Sequence, residues 1–121
     1  MQSFNKYGLN QYLLNSIKDL EFNIPTSIQD KVIPQILASE NDIIATAQTG
    51  TGKTAAFGLP IINLTINHSK NIEGVILCPT RELCIQISKD LNNYSKYMDH
   101  YKIIPIYGGT KIESQIIGLR N

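Results

Sequence analysis

Residues 42–55 read DIIATAQTGTGKTA, and this stretch decides the fold. A short apolar run leads into two closely spaced glycines, which Lys53 and Thr54 follow at once. Glycine in mid-chain costs conformational entropy and adds no packing, so the bare backbone must serve another purpose. The spacing A-x-x-x-x-G-K-T, from Ala47 to Thr54, differs from the general phosphate-loop pattern only in having Ala47 where glycine is commoner. The stretch therefore predicts a strand, a phosphate-binding loop and a helix.

The residue types in this loop suit a polyphosphate. Gly50 and Gly52 let successive backbone N–H groups point inward at an anion. The helix that follows adds its unpaired N–H groups and its positive end. Lys53 supplies a charge for the terminal phosphates, and the Thr54 hydroxyl is an oxygen ligand of the kind that Mg²⁺ prefers.

Apolar periodicity extends this order of elements along the chain. Helices are predicted over residues 10–20, 26–38, 55–66 and 111–119. A further helix is predicted from an apolar stripe, whose residues recur three or four positions apart: Leu83, Ile87, Leu91, Tyr94 and Met98. Strands are predicted over 42–46, 74–78 and 102–107, and the first two are apolar enough to be buried. Pro105 cannot donate to a strand ladder, so an edge or a bulge is expected in the third strand. Pro34 should kink or shorten its helix. Strands that alternate with helices indicate an α/β fold with a parallel sheet flanked by helices, and such sheets bind ligands at the carboxyl ends of their strands.

Composition excludes several classes of protein. The 121 residues are 42% hydrophobic and 17% charged, which is typical of one globular domain. No apolar run reaches the roughly 18 residues of a membrane span, and no secretory signal is visible, so we expect a cytoplasmic protein. The net charge of +1 lacks the basic excess common in nucleic-acid binders.

The cysteines and histidines show no metal-binding spacing. Cys78 and Cys84 form neither a C-x-x-C pair nor part of a Cys/His cluster. We expect both to be buried, reduced thiols. His68 and His100 stand beside polar residues, and we expect them in solvated loops.

The segment Phe22–Gln29, FNIPTSIQ, has two interpretations. Thr26 and Gln29 fit a capping box at the start of a helix. A glutamine amide also carries both donors and an acceptor, so Gln29 could pair with the edge of adenine while an aromatic ring stacks on the base.

With this segment beside the phosphate loop, the chain resembles the DEAD-box family of ATP-dependent RNA helicases, and most of all its bacterial members. The motifs run in the family's order: an adenine-reading Q motif at 22–29, a phosphate loop at 47–54, a further motif at 79–83 and a glycine pair at 108–109. Phe4 and Gln115 also lie at positions familiar from the family. The resemblance implies part of a RecA-like P-loop NTPase domain.

The resemblance also implies roles for residues. Lys53 and Thr54 would be catalytic, holding ATP and Mg²⁺, and Phe22 would stack on the adenine that Gln29 reads. The implied ATP-binding set is Phe22, Gln29, Ala47, Gln48, Thr49, Gly50, Thr51, Gly52, Lys53 and Thr54. The implied contacts to the RNA sugar–phosphate backbone are Pro79, Thr80, Arg81, Gly108 and Gly109.

The residues around Arg81 support a phosphate contact independently. Thr80 is a good N-cap, and the helix start there favours an anion. Arg81 can grip phosphate oxygens bidentately. The alternative is a solvated first turn with a local ion pair between Arg81 and Glu82.

Other expected parts of such an enzyme are not in this sequence. It contains no Asp-Glu pair and no Ser-Ala-Thr motif. We therefore expect an N-terminal fragment of a longer helicase, truncated before the DEAD motif. Catalytic arginines can be worth about 10³–10⁵ in phosphoryl transfer, so the chain alone should barely hydrolyse ATP. Its last strand should leave an open sheet edge and bare apolar helix faces.

Two alternatives remain at this stage. Another P-loop nucleotide-binding protein, such as a small-molecule kinase or a GTPase, would leave Gln29 unexplained, and the chain has no Asn-Lys-x-Asp run for guanine. The second alternative is a non-catalytic module that only binds nucleotide. The sequence does not indicate the oligomeric state or the particular RNA.

Overall fold

The computed structural model describes residues 3–65, 71–99 and 101–120. His68 and His100 lie outside these residues. The described helices are a short 3₁₀ helix at Phe4–Tyr7, then α1 (Gln11–Asp19), α2 (Ser27–Ala38), α3 (Lys53–Leu64), α4 (Arg81–Tyr94) and α5 (Ile112–Arg120). The segments predicted as strands lie between these helices, so the predicted order of elements along the chain is kept.

The first two α-helices begin where the sequence predicts, because polar side chains cap them. Asn10 accepts a hydrogen bond from the Leu13 N–H at 2.9 Å, and Thr26 forms a reciprocal capping box with Gln29. Helix α2 continues through Pro34 to its predicted end at Ala38, so Pro34 does not shorten the helix. The proline removes one backbone hydrogen bond, but the neighbouring Ile33 is fully buried and holds the helix against the core.

Helix α3 lies at the centre of the core and packs against α2 and α4. Its Leu59 and Ile62 are almost completely buried. They belong to one apolar cluster with Leu13 of α1 and Ile33 of α2. This cluster fixes the start of α3, and with it the end of the glycine loop, on a rigid support.

The bounds of α3 differ slightly from the prediction. The helix begins at Lys53, two residues early, and ends at Leu64, whereas the predicted end at Ile66 lies outside the described residues. Gly58, which weakens a helix on propensity, has a packing role: a Cβ there would lie 2.6 Å from Leu91 Cδ2. The missing side chain therefore allows α3 and α4 to approach closely.

Helix α4 carries the predicted apolar stripe into the core. Ile87, Leu91 and Tyr94 are buried, and burial raises the pKa of Tyr94 to about 12. The helix ends at Tyr94. Met98 follows the turn at residues 95–97 and is also buried.

The segments predicted as strands are only partly buried, including the two that were predicted to be buried. Ile76 and Cys78 pack against the core, whereas Val75 and Leu77 are exposed, and this alternation is typical of an extended chain. Ile44 is 97% exposed. Within the described residues no strand pairing is assigned to these segments. A parallel strand is buried only when helices cover both of its faces, and here the apolar cluster covers one face.

Helix α5 contributes no buried residue. Ile112, Ile117 and Leu119 are more than half exposed, which agrees with the prediction of bare apolar helix faces. Among the residues that the structure describes, no helix has the length and apolar character needed to cross a membrane.

Candidate functional site

The glycine loop at 47–54 has the backbone that an anion site requires. Gly50 has φ 79° and Gly52 has φ 81°, values that other residues rarely adopt. Gly52 is also the N-cap of α3, and no side chain caps this helix start. The first N–H groups of α3 therefore have no partner within the helix and can donate to a phosphate.

The Lys53 ammonium lies over the loop. It donates hydrogen bonds to the carbonyl oxygens of Ala47 and Gln48, and the Thr51 hydroxyl donates to the same Gln48 oxygen at 2.7 Å. Carbonyl oxygens carry only partial charge, so a phosphate is a stronger partner for this ammonium. The residues present thus fit a polyphosphate, which Lys53 could reach by exchanging its carbonyl contacts.

Two contacts connect the start of α2 to this loop. The Thr26 hydroxyl donates to the Thr51 carbonyl oxygen at 2.8 Å. The Gln29 amide donates through Nε2 to the Gly52 carbonyl oxygen at 3.2 Å, while its Oε1 accepts from the Thr26 N–H at 2.9 Å. Gln29 is 3% exposed. The capping box and the contact with the loop therefore exist together in one side chain.

Phe22 lies in an aromatic cluster beside the core. Its ring stacks on Phe4 with 6.4 Å between centroids and meets Tyr94 edge-on at 6.3 Å. A cleft of about 300 Å³ lies between the start of α2 and the loop. Its lining residues are Thr26, Ser27, Ile28, Lys31, Thr46, Ala47 and Thr51. Phe22 does not line this cleft.

Asp30 anchors the 3₁₀ helix to α2 close to the same site. Both the Lys6 ammonium and the Tyr7 hydroxyl donate to its Oδ1. These two contacts, with the Lys6 hydrogen bond the larger, hold the pKa of Asp30 below its ordinary value. The aromatic cluster is thereby tied to the helix that carries Gln29.

A second cleft, of about 290 Å³, brings together residues far apart in sequence. Pro79, Thr80 and Arg81 line it from one side and Gly108 from the other. Thr80 caps α4 by accepting from the Leu83 N–H at 3.2 Å. Four of the five residues implied for RNA contact therefore share one depression at the start of α4.

Tyr107 holds the Arg81 guanidinium in this cleft. The guanidinium lies 4.9 Å from the ring centroid. Gly109, the fifth implied residue, has φ 85°, and a Cβ on it would lie 3.1 Å from an Arg81 nitrogen. Gln115 fixes Tyr107 in turn, accepting from its N–H at 2.9 Å and donating to its carbonyl oxygen at 3.2 Å. Arg81, Tyr107, Gly109 and Gln115 thus form one set of contacts beside the second cleft.

Sequence reasoning missed Tyr107 and the part that Thr26 takes in holding the loop. Tyr107 could have been found as an aromatic residue directly before the glycine pair. Thr26 could not, because its capping role already accounts for it. The two clefts have no lining residue in common.

Thr54, which the sequence predicts as a magnesium ligand, lies in the first turn of α3. Across residues 3–65, 71–99 and 101–120 no group of three His, Cys, Asp or Glu side chains could hold a metal ion.

Comparisons with known proteins point to one family. Residues 26–121 match the family model described as DEAD/DEAH box helicase. The DEAD-box ATP-dependent RNA helicase CshA of Bacillus cereus is 43% identical over 120 residues, which cover 99% of this chain and 22% of the relative. A probable ATP-dependent RNA helicase of Methanocaldococcus jannaschii is 45% identical over 119 residues, 98% of this chain and 32% of the relative.

Solved structures show the same likeness. A DEAD box protein from the hyperthermophile Methanococcus jannaschii superposes with a TM-score of 0.84 at 42% identity, covering 100% of this chain and 33% of that one. Dbp5 of S. cerevisiae, solved bound to RNA and ADP BeF3, gives a TM-score of 0.77 at 33% identity over 80% of this chain and 25% of its own. This chain therefore spans about a fifth to a third of the length of these relatives.

The likeness to these solved structures shows the α/β, RecA-like class that the sequence predicts. The family follows from the match over residues 26–121 and from the whole-chain likeness to these relatives. The chain belongs to the DEAD/DEAH box helicase family.

Proposed function

We propose that this chain is the N-terminal part of the ATP-binding domain of an ATP-dependent RNA helicase, acting in the cytoplasm. The observation that carries the proposal is the contact between Gln29 and Gly52, which connects the Q motif to the phosphate loop. A glycine loop alone would suit any P-loop protein. A buried glutamine attached to that loop supports the adenine-reading arrangement that the family resemblance implies.

Gln29 keeps the hydrogen-bonding capacity that adenine needs. Its amide has two N–H donors and its oxygen has two lone pairs. The contacts with Gly52 and Thr26 use one of each. One donor and one acceptor remain, which match the adjacent acceptor and donor on the edge of adenine. Phe22, held by Phe4, would supply the stacking ring.

The phosphates of ATP would replace the Ala47 and Gln48 carbonyls as partners of Lys53. Backbone N–H groups of Gly50, Gly52 and α3 would donate to the remaining phosphate oxygens. Thr54 would ligate Mg²⁺, which neutralises phosphate charge when bound. The residues Ala47 to Thr54 thus bind and orient the triphosphate.

RNA would bind at the second cleft through its backbone. Arg81, held on Tyr107, would donate to phosphate oxygens, and the start of α4 at Thr80 would add N–H donors. Pro79, Gly108 and Gly109 would allow a close approach of the sugar–phosphate chain. Contacts of this kind position RNA without reading its bases, so we expect little sequence preference.

Hydrolysis would need carboxylates and arginines that this sequence does not supply. The 121 residues contain no Asp-Glu pair. We therefore propose that the chain by itself binds nucleotide, and RNA weakly, with negligible turnover. Turnover coupled to RNA unwinding would belong to the complete natural protein.

The test is RNA-stimulated ATP hydrolysis by the natural protein that contains these residues, with Arg81→Lys as the informative variant. Lysine keeps the charge but loses the bidentate fork, so RNA affinity should fall about fivefold to tenfold while ATP affinity is unchanged. Arg120→Lys, at the exposed end of α5, is the matched control and should change neither. An unmodified protein that binds no ATP, or hydrolyses it without response to RNA, would refute the proposal.

A further inference from the structure

The residues implied for RNA contact account for only part of the second cleft. Cys78, Cys84 and Tyr107 line it as well. The cysteines are free thiols and only partly buried, so the expectation that they are buried is wrong. The Tyr107 ring faces Arg81, with 4.9 Å between the guanidinium carbon and the ring centroid. The cleft therefore combines a cation with an aromatic face.

The aromatic ring leaves the hydrogen-bonding groups of Arg81 available. A ring attracts a guanidinium through its π electrons, and it does not take up N–H donors in the way that a carboxylate does. The alternative of an ion pair between Arg81 and Glu82 does not hold, because no ion pair among the described residues includes either side chain. The N–H donors of the guanidinium can therefore be offered to a phosphate.

Gln115 fixes the backbone that carries this ring. Its Oε1 accepts from the Tyr107 N–H at 2.9 Å, and its Nε2 donates to the Tyr107 carbonyl oxygen at 3.2 Å. An antiparallel partner strand satisfies the same two groups of a residue, and here one side chain of α5 does so. Both peptide groups that flank Tyr107 are thereby held, which limits the directions in which its ring can point.

The turn after Tyr107 leaves room for the guanidinium. Gly109 has φ 85°, and a Cβ there would lie 3.1 Å from an Arg81 nitrogen. Arg81 therefore lies against the turn as well as beside the ring. Two contacts from one segment restrict a long side chain that otherwise has many rotamers.

We propose that Tyr107 and Gln115 are positioning residues for RNA binding, which hold the Arg81 guanidinium ready for a phosphate before RNA binds. This rests on the proposed function, because it specifies how the same cleft gains affinity. Ordering a flexible side chain during binding costs affinity, and a side chain that is already ordered avoids this cost. Loss of the Tyr107 ring, or of the Gln115 contacts that fix it, should therefore weaken RNA binding by about twofold to tenfold.

The first measurement needs no RNA. In an NMR spectrum of the natural protein with labelled arginine, the ring current of Tyr107 should displace the Nε–H signal of Arg81, which Arg81→Ala identifies by its absence. The displacement should persist in Tyr107→Phe, which keeps a ring, and disappear in Tyr107→Leu and in Gln115→Met. An Arg81 signal that is the same in Tyr107→Leu as in the unaltered protein would overturn the proposal.

The second measurement is the RNA affinity of each variant, with Arg81 and with Arg81→Ala. Tyr107→Leu and Gln115→Met should weaken binding by about twofold to tenfold beside Arg81, and should have no further effect beside Arg81→Ala. Tyr107→Phe should stay within about twofold of the unaltered protein. Ser114→Ala, at an exposed position of α5, is the matched control and should bind RNA as the unaltered protein does.

Equal losses of RNA affinity with and without Arg81 would overturn the proposal, because a purely structural defect would produce them. A loss in Tyr107→Phe as large as in Tyr107→Leu would also overturn it, since the ring would then not be the cause. Should Tyr107→Leu not fold, an unaltered protein whose Arg81 signal lies with those of exposed arginines such as Arg120 would overturn it instead. A protein that binds no RNA although its Arg81 signal is displaced would contradict the proposed function, while the contact between ring and guanidinium would be confirmed.

Discussion

Replacing Gly52 by alanine adds a single carbon atom, Cβ, at the contact between the Q motif and the phosphate loop. The new Cβ would lie 2.4 Å from Gln29 Nε2 and 3.3 Å from its Cδ, so the Gln29 amide must move and its bond to the Gly52 carbonyl breaks. The backbone there has φ 81°, which also strains an alanine. Gly50 offers a matched control, since its φ is 79° but nothing lies within 4 Å of its would-be Cβ.

The two substitutions should differ by the loss of the Gln29 contact. Left-handed strain costs about 1–2 kcal/mol for either alanine. Gln29 is 3% exposed, and leaving a buried polar group without its partner costs about 1–3 kcal/mol more. Gly50→Ala should therefore lower the free energy of unfolding by about 1–2 kcal/mol, and Gly52→Ala by about 2–5 kcal/mol.

Urea unfolding of the two variants, each with Gln29 or with Gln29→Ala, forms a double-mutant cycle. With Gln29 removed, the extra cost of Gly52→Ala should disappear, because no amide remains to be displaced. Equal costs for Gly50→Ala and Gly52→Ala beside an intact Gln29 would refute the reasoning. So would an extra cost that persists after Gln29→Ala.

Two further predictions concern stability. Lys6 and Tyr7 hold the pKa of Asp30 below 3.8, so Asp30 stabilises the fold above that value and loses the effect as the pH falls through its lowered pKa. Asp30→Asn should thus lower the free energy of unfolding at pH 7 and leave it unchanged at a pH well below the lowered pKa of Asp30. Urea titrations at both pH values would test this. Leu59→Ala should lower the free energy of unfolding by about 2–5 kcal/mol. Leu64→Ala, at a site 54% exposed on the same helix, should change it little. Similar losses for the two variants would contradict the core described for α3.

Local features of this fold could be predicted because short-range chemistry determines them. Thr26 with Gln29 three residues later specifies a capping box, and the structure has one. The glycines of the phosphate loop predict a backbone that curls around an anion, and Gly50 and Gly52 have the positive φ values that glycine adopts most easily. In each case the residues that decide the structure are neighbours in sequence.

Features that depend on distant packing could not be predicted. The apolar run at 74–78 predicts a buried strand, but Leu77 in it is 91% exposed, because its burial depends on which helices cover the segment. The bond from Gln29 to Gly52 joins residues 23 positions apart, and a capping box already explained the glutamine. The Tyr107 ring beside Arg81 likewise requires the turn at the glycine pair to bring two segments together.

The most direct test of the phosphate-loop assignment is the ATP dissociation constant of Lys53→Ala in the natural protein with Mg²⁺. Lys89→Ala, which removes an exposed charge from α4, is the matched control. The account predicts that Lys53→Ala weakens ATP binding by at least about tenfold, because a charge-assisted phosphate contact is lost, while Lys89→Ala binds as the unaltered protein does. Equal affinity for all three proteins would show that Lys53 does not face a bound nucleotide.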